Sequence, residues 1–204
     1  MSAPTRRVLL LALPVAVAGC SQLLQGKPPP KLYTLTPVKD FSPGLPTVKA
    51  QVLVDVPVAA GAIDTERIAL MRGTVSVDYF ADAAWTDRAP VLVQSLLVES
   101  FENSGKIGAI GRDTATLSAD YTLTPELRDF TAVYGDGSLP TVQVRLGLKL
   151  IRSDDRRIIG QLPVQASAAA QQDAIIPIVD AFNDALHKVM TETVDWTLKM
   201  IGHV

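Results

Sequence analysis

Val142, Val144, Leu146, Leu148 and Leu150 occupy every second position, with Gln143, Arg145 and Lys149 between them. A period of two places the apolar side chains on one face of a strand and the polar ones on the other. Ile158, Leu162, Val164 and Ala166 repeat the pattern against Gln161 and Gln165. The polar run Ser153-Asp154-Asp155-Arg156 between them reads as a turn. An antiparallel hairpin with one dry and one wet face follows. A dry face must be covered, so the remaining sequence is read for what covers it.

More strands come first. Lys31 to Leu35 is a strand candidate, and Val52, Val54, Val56 and Val58 share one face of residues 51–58. Val75, Val77 and Tyr79 alternate with Ser76 and Asp78, and Tyr121, Leu123 and Leu127 alternate with Thr122, Thr124 and Glu126. Two segments change to helical spacing. In residues 91–103, Val93, Leu97 and Phe101 share a face with Leu92 and Leu96 beside it, Pro90 precedes them and Gly105 follows. In residues 173–201, Val179, Phe182, Leu186, Val189, Met190 and Val194 form a broad apolar stripe. Asp173 is placed to cap that helix and Pro177 falls in its first turn. The expected fold is α+β, a two-layer arrangement of a mostly antiparallel sheet with two main helices packed on one face.

The N-terminus has a different purpose. Arg6 and Arg7 precede an apolar run, residues 8–17, and then the small residues Ala18 and Gly19. These are the regions of a secretory signal. The run is shorter than the about 20 residues that span a bilayer, and Pro14 interrupts it as a core helix. Val17-Ala18-Gly19-Cys20 resembles a bacterial lipobox, and Cys20 is the only cysteine in the chain. In such lipoproteins the sulfur carries a diacylglycerol, the signal is cut before the cysteine, and the new amino group takes an acyl chain such as palmitate. Stable anchoring takes more than one acyl chain, each buried methylene contributing about 0.8 kcal/mol. Ser21, where inner-membrane lipoproteins usually carry aspartate, resembles a signal for the outer membrane. Residues 1–19 are therefore read as a cleaved signal peptide and residues 20–30 as the lipidated cysteine with a Pro-rich tether. Residues 31–204 are read as a single domain facing the periplasm.

Few residues are available for chemistry. A formal charge of −2 offers no basic excess for phosphates, so no nucleic-acid partner is expected. Aromatic residues make up 5% of the chain, too few for a stacking platform. One cysteine and two histidines leave little for a metal site. Neither a Gly-x-Ser-x-Gly elbow nor a His-Glu-x-x-His helix occurs. Ser104-Gly105-Lys106-Ile107-Gly108 is better read as a helix C-cap than as a phosphate loop. Asp154 and Asp155 suit a solvated hairpin tip, Asp64 to Arg67 a turn, and His187 and His203 a helix surface and the chain end. No catalysis is expected, and no cofactor apart from the covalent lipid on Cys20.

The order of several segments resembles the ABC-type transport auxiliary lipoprotein family, of the paraquat-inducible outer-membrane lipoprotein type. They are Tyr33-Thr34-Leu35, Val54-Asp55-Val56-Pro57, Ile63 to Ala69, Val77-Asp78-Tyr79-Phe80 with Ala84-Trp85, and Ala89 to Gln94. Phe101 to Gly105, Tyr121-Thr122-Leu123, Leu127 to Phe130, Ala181 to Leu186 and Trp196 complete the match. Asp87-Arg88-Ala89-Pro90 departs from the family, which tends to a proline pair there. The resemblance implies a domain akin to the TolB N-terminal domain. It also implies the docking end of a lipid transport system, in which an inner-membrane ABC permease and ATPase work with mammalian-cell-entry (MCE) domain proteins, and it allows a homo-oligomeric ring. An envelope-assembly factor or cell-wall-enzyme activator with the same anchor is the alternative. A soluble lipid carrier would need a cavity large enough for acyl chains. Tyr79, Phe80 and Trp85 cluster where a strand leaves the sheet, and two readings are open for them: contact with a partner, or closure of the core over the middle helix.

Overall fold

The computed structural model describes residues 28–112, 118–137 and 139–203; Val17, Ala18, Gly19 and Cys20 lie outside them. In chain order the elements are β1 (Lys31–Tyr33), β2 (Val48–Val54), β3 (Val58–Ala59), β4 (Arg67–Arg72), β5 (Ser76–Trp85), α1 (Ala89–Ser104) and β6 (Ile107–Arg112). They continue with β7 (Tyr121–Tyr134), β8 (Thr141–Arg152), β9 (Ile158–Ala169) and α2 (Ile175–Gly202).

The alternating pair forms the expected hairpin, with Val144 opposite Ala166 and Leu146 opposite Val164. Its other neighbour is β7, antiparallel to β8, with Leu123 opposite Leu150 and Leu127 opposite Leu146. The ladder then slips, so that Asp129 faces Arg145 and Phe130 faces Val144. Arg128 is the extra residue of a bulge. Phe130 lies an odd number of positions from Leu127, and only the bulge returns it to the dry face.

The second edge of β7 was not legible in the sequence. There β2, β3 and β4 lie end to end and parallel to it, at Val54–Leu123, Val58–Glu126 and Leu70–Ala132. β6 extends the sheet beyond β2, and β5 and β1 extend it beyond β4, giving nine strands among the described residues. The two longest ladders, β7–β8 and β8–β9, are antiparallel, as is β4–β5, and the others are parallel, so the sheet is mixed though mostly antiparallel.

The single strand expected over residues 51–58 is broken. Pro57 has no amide hydrogen to donate, while the Asp55 amide donates to Leu123 O at 3.0 Å and its carboxylate accepts from Thr124 Oγ1 at 2.8 Å. Val52 and Val54 are buried, whereas Val56 and Val58 are exposed.

Both helices begin near prolines and pack on the dry face. Pro90 sits in the first turn of α1, and Gly105, at φ 60°, closes it with its amide on Glu102 O. The cap expected for α2 is corrected: Ala174 is its N-cap with no side-chain bond, and Asp173 instead accepts from Tyr134 Oη at 2.6 Å. Gln94 Nε2 donates to Val54 O at 2.8 Å, fixing α1 to β2. Ser100 Oγ donates to Leu96 O at 2.7 Å and accepts the Val38 amide at 3.0 Å, so the segment after β1 is tied to α1. Helix α2 lies over β8 and β9, burying Val144, Leu146, Leu148 and Leu150 beneath Leu186, Val189, Met190 and Val194 in one apolar cluster. Among the described residues no helix is long and apolar enough to cross a membrane.

Candidate functional site

The three aromatic candidates all lie on β5, but the fold treats them differently. Trp85 is 1% exposed. Its ring meets Phe182 of α2 edge-on, with centroids 5.1 Å apart, and Phe130 of β7 at 5.6 Å. Phe130 and Phe182 are 4.9 Å apart, so the three rings form the aromatic centre of the core. Partner contact by Trp85 is therefore corrected to core closure, because a ring enclosed on all sides cannot reach another protein without unfolding this one. Tyr79 and Phe80 are half-buried. The Tyr79 hydroxyl donates to Ala62 O at 3.1 Å, and the Arg67 guanidinium lies 3.6 Å over its ring.

Between these residues β5 bulges. Ala69 faces Tyr79 while Arg67 faces Ala84, so the chain from Phe80 to Ala83 loops out of register with β4. Asp82 in this stretch has φ 57°, a left-handed conformation that aspartate tolerates better than most residues. β1 takes up pairing there, with Lys31 opposite Ala83 and Tyr33 opposite Trp85. At the other end of β5, the turn before it exposes Val75 almost completely, and Val77 remains partly exposed.

The charged motifs behave as solvated structure. Arg152 binds Asp155 Oδ2 at 2.7 Å and holds that carboxyl well below the usual carboxylate range. Arg88 pairs with Asp64 beside the start of α1, and the Arg67 amide donates to Thr65 Oγ1 at 3.2 Å. His187 is a fastener: its Nε2 lies 2.9 Å from Thr36 O and 3.0 Å from Thr36 Oγ1. Asn183, one turn earlier, accepts the Thr36 amide at 2.9 Å. Together they pin the segment after β1 to α2. Among the described residues no group of three metal-ligating side chains converges.

One feature gives no sign of itself in the sequence. Lys188, Glu192 and Lys199 mark the outward stripe of α2 and are exposed, yet Asp195 on the same stripe is only 7% exposed. It lines a groove of about 630 Å³ that also meets Ser42, from the loop after β1, and Leu162 of β9. Helical spacing alone would place Asp195 in water. Only the tertiary path of the loop after β1 brings Ser42 to the groove, and that path is not written in the periodicity.

Comparison with known proteins agrees with this architecture. The crystal structure of protein XCC0632 from Xanthomonas campestris has a TM-score of 0.80 at 31% identity, covering 85% of this chain and 97% of that one. The hypothetical protein CT253 from Chlamydia trachomatis has a TM-score of 0.55 at 9% identity, over 76% of this chain and 99% of that one, a likeness of fold alone. An uncharacterised protein of Bradyrhizobium diazoefficiens is 27% identical over 184 residues, which is 89% of this chain and 49% of the relative. The chain thus spans about half the length of that curated relative. Residues 33–194, from the last residue of β1 to deep within α2, match a single family. The chain belongs to the ABC-type transport auxiliary lipoprotein component family.

Proposed function

We propose that this protein is the outer-membrane-anchored docking component of an ABC transporter–MCE system that moves phospholipid across the cell envelope. The observation that carries the reading is the family match over residues 33–194, downstream of a lipobox whose cysteine is the only one in the chain. Diacylglycerol and an N-acyl chain on Cys20 hold the protein to the periplasmic face of the outer membrane. The tether sets the domain off that surface, and the domain, akin to the TolB N-terminal domain, offers a rigid surface in place of a catalytic group. An MCE-domain protein is the direct partner, and the permease and ATPase are reached through it. Several copies closing into a ring would suit an MCE conduit. The β4–β5 hairpin is the surface we assign to contact, because Val75 and Val77 expose apolar area there with Tyr79 and Phe80 behind them.

The test is affinity capture of the lipidated protein after crosslinking in cells, with mass spectrometry of the proteins recovered. An MCE-domain protein with its permease is the expected result. Recovery of cell-wall synthases without any MCE protein would overturn the reading in favour of an assembly factor.

A further inference from the structure

Asp195 Oδ1 is the one buried side-chain polar atom among the described residues with no hydrogen-bond partner. A carboxylate oxygen removed from water without a donor is costly to keep, and folds rarely keep one unless something else supplies the donor. The surroundings of Asp195 indicate what that is. The side chain lines the groove on α2, with the Trp196 indole on one side. Gly160 of β9 makes room for this ring, since a Cβ there would come within 2.9 Å of Trp196 Cζ2. An acid beside an aromatic ring is a site for an ammonium group.

The cations of the same groove extend the requirement. Lys199 is four residues further along α2, about 6 Å along the axis, exposed at the groove's edge. No ion pair within 4.0 Å joins it to Asp195 among the described residues. Lys188, at the other end, reaches Ser167 O at 3.4 Å. A simple amine would satisfy Asp195 but meet repulsion from both lysines. A simple phosphate would be drawn to the lysines but face Asp195 and Glu192. A ligand with an ammonium and an anion joined by a short linker satisfies both.

We propose that this groove binds a phosphoethanolamine zwitterion, its ammonium on the Asp195 carboxylate against Trp196 and its phosphate on Lys199. The chemistry is that of a phosphatidylethanolamine headgroup or of a free phosphorylated amine. Assigning it to a lipid rests on the transport reading above.

The experiment titrates the full chain in uncharged detergent with O-phosphoethanolamine, and in parallel with ethanolamine and with inorganic phosphate. The Trp196 indole NH resonance, identified by its loss in Trp196→Phe, is the readout. O-phosphoethanolamine should shift it saturably, with each fragment at least about tenfold weaker, since a charged hydrogen bond is lost in each case. Asp195→Asn, nearly isosteric, should weaken binding by about tenfold or more while melting as a folded protein. Lys199→Gln, at an exposed position, should weaken it severalfold. No saturable shift, an equal response to phosphate alone, or unchanged binding by Asp195→Asn would each overturn the proposal. Phosphatidylethanolamine that co-purifies with the wild type and is depleted in Asp195→Asn identifies the lipid as source. Zwitterion binding lost in the variant with co-purified lipid unchanged supports the site and identifies the free phosphorylated amine. If the site binds as described but no MCE protein is captured, the transport reading fails and the site stands.

Discussion

Phe182 touches both Trp85 and Phe130, so each of the three rings fills space that the other two depend on. Trp85→Ala should cost about 3–5 kcal/mol of stability, read as a lowered urea midpoint, because the void cannot collapse beneath α2. Ser100 is a smaller but equally buried dependence. Ser100→Ala would leave the Val38 amide without its acceptor and should cost about 1–3 kcal/mol in the same measurement. Tyr134 gives a pH-dependent check. Burial, with help from its hydrogen bond to Asp173, pushes its phenol up to about 12. The protonated form is thus favoured in the native state. Its stabilising contribution is complete below the ordinary tyrosine range near about 10, and is lost as pH rises from there through about 12. Phenolate absorbance should show this late titration, moved to lower pH in Asp173→Asn and absent in Tyr134→Phe. Such residues were partly legible: Trp85, near Tyr79 and Phe80 where a strand leaves the sheet, left both core closure and partner contact open. By contrast, the groove at Asp195 also takes Ser42, from a loop about 150 positions away in sequence, which no local pattern encodes.

At the scale of elements, the legible parts are those with internal punctuation. The β8–β9 hairpin was set by its own alternation and polar turn, and α1 by Pro90 and Gly105. The parallel ladders of β2, β3 and β4 along β7 were not, because short strands carry no mark of which edge they join. The bulge at Arg128 was hidden for a related reason: a change of face at Phe130 looks like the end of a strand unless the extra residue is known. Two glycines separate backbone from side-chain constraint. At Gly108 a Cβ would lie 2.6 Å from Lys49 O, where β2 and β6 slip register, so the backbone must shift. Gly108→Ala should cost about 1–3 kcal/mol. At Gly147 the obstacle is the Arg128 guanidinium, which is flexible and can leave its exposed pairing with Glu126. Gly147→Ala should cost under about 1 kcal/mol. Thermal melts of both variants check this order, and equal losses would contradict it.

For the whole molecule, the proposed function depends on where the domain is held. The described residues provide a closed core, no helix able to cross a membrane, and surfaces on the β4–β5 hairpin and along α2. The proposed function puts attachment on Cys20, so Cys20→Ser should move the protein from the membrane to the soluble fraction with its melting temperature unchanged. The central claim is that this anchored domain serves lipid movement, and the most direct test follows the lipid. Newly made, radiolabelled phospholipid is chased between inner and outer membranes in cells that lack this protein and any other MCE system. Altered transfer, restored by the wild type but not by Cys20→Ser, is the predicted result. Transfer that is the same with and without the protein would contradict the account.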